Sequence, residues 1–237
     1  MLSKYAEAGD KIDLQSVDQL LKNEKGKKYT TRVYDILSDD RLELVMPMEK
    51  SKLILLPVDG EYDLCLYTKQ GLFQCYARIY DRYKSNNVYV IALELTSNLR
   101  KHQRREYFRF GCMLELKVRE LKSEEVQAAE NGKNLIVPGL PLRRAIASDL
   151  SGGGMRFVTN ERYEEGSYVY SNFNLTSEGT TREYEVVSKV MTTLEVPNRP
   201  DEYEHRVQFA NMDRDTREEI IRYIFEEERR IRRNKRD

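Results

Sequence analysis

Short apolar-rich segments, each closed by a turn signal, restrict this chain more than any other feature. Between Lys28 and Leu95 they fall at 29–37, 41–46, 52–56, 62–67, 72–79 and 88–95. The breaks at Ser38-Asp39-Asp40, Asp59-Gly60, Gln70-Gly71 and Ser85-Asn86-Asn87 use residues that tolerate turn geometry or bond their own backbone. Strands of this length at this spacing predict an antiparallel barrel or sandwich, because a parallel pair would need a long crossover that no interval here provides. A second series starts at Cys112, where Cys112, Leu114, Leu116 and Val118 alternate with Met113, Glu115, Lys117 and Arg119 in the period of a half-buried strand. Further strands are expected at 142–147, 155–159, 167–174, 182–191 and 204–209. The polar stretch 122–134, with Asn131-Gly132, interrupts them as a helical excursion or loop.

The period changes at the end. Asp215 followed by Glu218 resembles a capping box, and Ile220, Ile221, Ile224, Phe225 and Ile231 share one helical stripe. The basic run from Arg229 to Arg236 suits a helix C-terminus and reads as a solvated end, offset by Glu226-Glu227-Glu228. The expected fold is mainly β: two antiparallel β-barrels joined by a short basic linker, with a C-terminal amphipathic helix. The expected division is a first barrel at 1–98, the linker at 99–109 and a second barrel with its helix at 110–237.

Charge narrows the functions open to such a fold. Lysine plus arginine total 40 and aspartate plus glutamate total 40, so no surface-wide grip on nucleic acid or anionic lipid is expected and any anion site must be local. Residues 1–11 lack the apolar core of a secretory signal and no apolar run is long enough for a membrane span, which makes the cytoplasm the expected compartment. Cys65, Cys75 and Cys112 form no CxxC pair and read as buried fillers. Enzyme templates fail in turn. His102 and His205 lie in no metal-ligand spacing, no GxSxG elbow is present, and Gly152-Gly153-Gly154 is not followed by the Lys-Ser/Thr of a phosphate-binding loop. Met155-Arg156 stands where a cyclase of the double-glycine type needs an acidic pair. Neither catalysis nor a metal is expected, and both histidines read as structural or exposed.

Two short motifs remain. Arg104, Arg105 and Arg109 put three guanidinia within six positions before the second barrel, and Asp149-Leu150-Ser151-Gly152-Gly153-Gly154 follows a strand. Guanidinium bonds phosphate in a bidentate manner, reads the O6 and N7 edge of guanine and stacks on its face. Aspartate and serine add an acceptor and a hydroxyl for a purine's N–H groups, while glycines admit a flat ligand to the backbone and allow positive φ. Together the motifs predict an anion-and-purine site. Tyr107 and Phe108, inside the arginine segment, read as core residues.

Arg105-Glu106-Tyr107-Phe108-Arg109 and Asp149-Leu150-Ser151-Gly152-Gly153-Gly154 resemble the RxxxR and [D/N]xSxxG marks of the PilZ family of cyclic di-GMP receptors. With the N-terminal β domain, the Gln103-Arg104-Arg105 junction and the passage from Phe209-Ala210-Asn211-Met212 into a helix, the likeness extends over the whole chain to the flagellar brake branch. That resemblance implies that Arg105 and Arg109 grip phosphate and guanine while Asp149, Ser151 and Gly154 surround a guanine. It also implies, from Arg104, two intercalated cyclic di-GMP molecules per chain. By the same resemblance the output partner is the flagellar stator or rotor, the effect is slowed motility through a changed domain arrangement, and the chain is a cytoplasmic monomer recruited to the basal body. Two other classes stay open: a β-barrel that binds nucleic acid, and a structural adaptor that binds no cyclic dinucleotide.

Overall fold

A computed structural model describes residues 2–18, 27–177 and 179–234. The chain divides after Arg104 into two compact units. Each is a closed six-stranded antiparallel barrel.

The first barrel is built from β1 (Lys11–Ser16), β2 (Lys28–Ile36), β3 (Arg41–Val45), β6 (Glu61–Thr68), β7 (Gly71–Ser85) and β8 (Val88–Leu95). The order β6-β1-β2-β3-β8-β7 closes through β6–β7 pairing. A two-residue hairpin, β4 (Met48–Glu49) with β5 (Lys52–Leu53), leaves the ring, and β9 (Arg100–Lys101) pairs with β7. Part of the expected linker is therefore a strand. Alternate residues of each strand fill the interior, with Ile12, Leu14, Leu42, Leu44, Leu64, Leu66, Ile79 and Leu93 without measurable exposure.

The second barrel runs β10 (Phe110–Glu120), β11 (Arg143–Ser151), β12 (Gly154–Thr159), β13 (Tyr168–Ser177), β14 (Thr180–Glu195) and β15 (Tyr203–Phe209). Its order β10-β11-β12-β15-β14-β13 closes through β10–β13. Leu116 and Val118 face inward as their alternation predicts. A register shift between Gly111 and Leu114 leaves Cys112 and Leu114 only partly buried and Met113 exposed. Of the three cysteines only Cys75 is buried; Cys65 is half-buried like Cys112, and all are free thiols.

The excursion after β10 is a helix, α1 (Ser123–Glu130), and its fixing point is a buried ion pair. Glu125 accepts both terminal nitrogens of Arg119 at 2.7 and 2.5 Å, and the amides of Lys122 and Val137 at 2.7 Å each. Arg119 above all, with those two amides, holds the Glu125 carboxyl down to about 2 against the opposing effect of burial. Inside the barrel, His205 is fully buried between the rings of Phe157 and Tyr163 and accepts the Tyr163 amide at Nε2, so it is structural. Burial pushes its imidazole down to about 4.

The C-terminal helix α2 (Arg214–Asn234) starts two residues earlier than the capping-box reading places it. The cap is Asp213, whose carboxylate accepts the Thr216 amide at 2.8 Å and the Thr216 hydroxyl at 2.7 Å. Only Ile220 and Ile224 of the apolar stripe are buried; Phe225 and Ile231 stay exposed. The helix end is tied by Arg230–Glu227 and Arg232–Glu228 pairs, and Lys235 and Arg236 of the basic run lie outside the described residues. Among the described residues no helix is long and apolar enough to cross a membrane.

Candidate ligand site on the second barrel

The Asp149–Gly154 motif is the hairpin between β11 and β12. Ser151 pairs with Gly154 across a two-residue turn made of Gly152 and Gly153. Ser151 is buried, its hydroxyl donating to the Gly154 carbonyl at 2.9 Å and accepting the Gly153 amide at 3.4 Å. Asp149 stands opposite Arg156 on β12, and the two form a 2.8 Å ion pair. Sequence reasoning treated Arg156 only as a missing acid; its place directly across the hairpin from Asp149 is set by register, which spacing alone does not reveal.

The three glycines are needed for reasons other than positive φ, since none of them adopts it. A Cβ on Gly154 would lie 2.1 Å from the Val207 carbonyl oxygen, so β12 meets β15 there with room for hydrogen only. A Cβ on Gly152 would come within 2.7 Å of Tyr107 and Ile221, and one on Gly153 within 2.8 Å of Tyr107. The flat group resting on these two glycines is the Tyr107 ring of the arginine segment.

That contact brings the two motifs together. Tyr107, half-buried, sits on the hairpin with Arg105 and Arg109 two residues to either side, both exposed. Arg109 has no ion-pair partner among the described residues. Tyr107 faces the protein as expected, but Phe108 does not. It is half exposed and stacks on Phe225 of α2 with ring centroids 6.5 Å apart, because the short segment cannot turn both neighbouring rings toward the barrel.

Arg104 belongs to the first unit. Its Nη1 donates to the Tyr67 hydroxyl at 2.7 Å and its guanidinium lies 5.2 Å from that ring's centroid. Tyr67 donates in turn to Asp13, which also accepts Lys28 and Thr30. Burial opposes ionisation of Asp13, yet those bonds hold its carboxyl below the usual range. Arg104 thus lines a polar cleft of about 260 Å³ with Asp13, Lys28, Asp63, Gln74 and His102.

The second unit is thus a closed barrel whose β11–β12 hairpin carries an arginine segment laid over bare glycines. The chain belongs to the PilZ domain family, whose profile matches residues 103–226. A second profile, that of the flagellar protein YcgR, matches residues 7–95, making the chain one of the flagellar-brake type. Among solved structures it is similar to the Bacillus subtilis inhibitor of motility (MotI/DgrA), at 18% identity over 98% of this chain and 100% of that one, with a TM-score of 0.74. YcgR from Escherichia coli in complex with c-di-GMP is 14% identical over 95% of this chain and 87% of that one, with a TM-score of 0.47. A comparison with curated protein sequences finds no match.

Proposed function

We propose that the protein is a cyclic di-GMP receptor of the flagellar-brake type, binding the ligand with Arg105 and Arg109 beside the Asp149–Gly154 hairpin. The observation that carries this reading is the seating of Tyr107 on Gly152 and Gly153, which brings two motifs some 40 residues apart onto one part of one barrel. Arg105 and Arg109 supply charge-assisted, fork-shaped donors for phosphate and for the guanine edge. Asp149 supplies an acceptor for guanine N–H groups, in competition with Arg156. Ser151 acts mainly by holding the turn, since its hydroxyl is engaged within the hairpin.

Two finer parts of the reading concern output and stoichiometry. The unit boundary falls between Arg104 and Arg105, so a ligand engaging both residues acts on both barrels and changes their relation, by as much as its affinities for the two arrangements differ. The changed arrangement acts on the flagellar stator or rotor and slows motility. Arg104, once released from Tyr67, offsets the charge of a second cyclic di-GMP molecule intercalated with the first. Calorimetric titration with cyclic di-GMP, cyclic di-AMP and GTP tests the core claim: heat with the first alone, at two ligands per chain, is expected. No heat with cyclic di-GMP at micromolar concentration overturns the receptor reading. A wild-type ratio of one, or an Arg104→Leu protein that still takes two, overturns the role given to Arg104.

A further inference from the structure

The middle of the arginine segment is held by a helix that neither motif contains. Arg217, in the first turns of α2, donates through Nη1 to the Tyr107 hydroxyl at 3.2 Å and to the Gly152 carbonyl at 3.1 Å. Its guanidinium carbon lies 5.5 Å from the Tyr107 ring centroid, within cation–π range. One side chain therefore fastens the tyrosine to the turn of the glycine hairpin beneath it. Two helical turns further on, Phe225 stacks on Phe108. The ring of Tyr107 fits this clasp only because Gly152 and Gly153 carry no Cβ.

We propose that Arg217 is a positioning residue for ligand binding: through Tyr107 it holds segment 105–109 on the hairpin, so that Arg105 and Arg109 leave a fixed loop. The inference rests on the receptor reading and goes further, assigning the order of the arginine segment to the C-terminal helix. Two flexible guanidinium side chains on a loose segment would have to be ordered at the moment of binding, and apparent affinity falls in proportion to the fraction of chains already competent. Arg217 raises that fraction without touching the ligand. The two glycines take on a second meaning, since they serve the tyrosine first and the nucleotide only through it.

The test compares wild type with Arg217→Ala, Arg217→Lys, Tyr107→Ala and the Tyr107→Ala/Arg217→Ala pair, measuring cyclic di-GMP affinity by calorimetry, thermal unfolding, and amide exchange in the ligand-free protein. Arg217→Ala is expected to bind about tenfold more weakly, the factor that about 1.4 kcal/mol of lost ordering produces. Its exchange should quicken across 104–110 while the barrel strands stay protected. Lysine keeps the charge but not the planar fork, so Arg217→Lys should recover part of the affinity. Because Arg217 acts through Tyr107, the double variant should bind no more weakly than Tyr107→Ala alone. Wild-type affinity in Arg217→Ala, or losses that add in the double variant, overturn the inference alone. A wild-type protein that takes up no cyclic di-GMP overturns the receptor reading, and this inference with it.

Discussion

Replacing Glu125 by glutamine tests what fixes the excursion in the second barrel, and the size of the effect follows from the geometry. The carboxylate is completely buried and accepts four hydrogen bonds, two of them from Arg119. Its folded pKa of about 2 against an ordinary 4.5 corresponds to roughly 3 kcal/mol of stability at neutral pH, at about 1.4 kcal/mol per tenfold change. Breaking a buried pair by removing one partner independently suggests about 3–5 kcal/mol, because Arg119 keeps its charge without a counter-ion. Glu125→Gln preserves shape and loses the charge. The unfolding transition of the second unit should fall by about 10 °C while that of the first stays in place. The pH dependence has a definite sign. A carboxyl with a depressed folded pKa stabilises fully above the unfolded value, and that contribution is lost as pH falls from 4.5 toward 2. The gap between wild type and variant should therefore narrow across that window in thermal melts followed by circular dichroism. A Glu125→Gln protein melting within about 2 °C of wild type at pH 7, a small fraction of the expected shift, or a gap indifferent to acid, would refute the reasoning.

Arg105→Ala and Arg109→Ala should each abolish detectable cyclic di-GMP binding with little change in melting temperature, since both side chains are exposed and leave no cavity; retained wild-type affinity in the double variant would place the site elsewhere. Asp149→Ala should weaken binding less, as part of its acceptor capacity is already taken by Arg156; complete loss in titration would contradict that ordering. Burial keeps the His205 imidazole neutral down to about 4 in the folded chain against 6.5 when exposed, so the unfolded state binds the extra proton between those values. Stability of the second unit should then decline by up to about 3 kcal/mol as pH falls from 6.5 to 4, a slope that His205→Gln should flatten in urea titrations and that, if unchanged, must come from another group. Gly154→Ala should cost at least about 3 kcal/mol or prevent folding of the second barrel, because its Cβ meets a backbone carbonyl that cannot yield; near-normal stability in denaturant would show that β12 can shift away from β15.

The parts of this fold that were legible from sequence are those where one face of a strand is apolar. Leu116 and Val118 on β10 announce their burial by alternation. Strand β1 escaped notice because its central Asp13 reads as solvent-facing, whereas it is buried and paid for by Lys28, Thr30 and Tyr67, partners remote in sequence. The apolar run 52–56 misled in the opposite direction. Only Lys52 and Leu53 pair as a strand, while Leu56 fills the core from irregular backbone, so hydrophobicity signalled burial without signalling pairing. The excursion 122–134 is legible as a helix or loop, but what fixes it is not, since Arg119 and Glu125 resemble any other surface charges until β10 and α1 bring them together.

Local pairing engages several arginines that take no part in the proposed site. A net charge of zero in a chain with 40 basic residues arises locally here: Arg119 with Glu125, Arg156 with Asp149, Arg182 with Glu219 and Arg214 with Glu218 are each matched to a carboxylate. Arg109 is exposed and meets none among the described residues, although acidic side chains are as abundant as basic ones. Leaving such a group unmatched on a segment that Tyr107 fixes in place forgoes a fraction of a kcal/mol of surface pairing. In return it keeps a guanidinium available for a phosphate, where a charge-assisted bidentate contact is worth several times as much. Arg104 shows the intermediate case: it is tied to a neutral phenol rather than to a carboxylate, a contact that an anionic ligand can displace without stranding a charge.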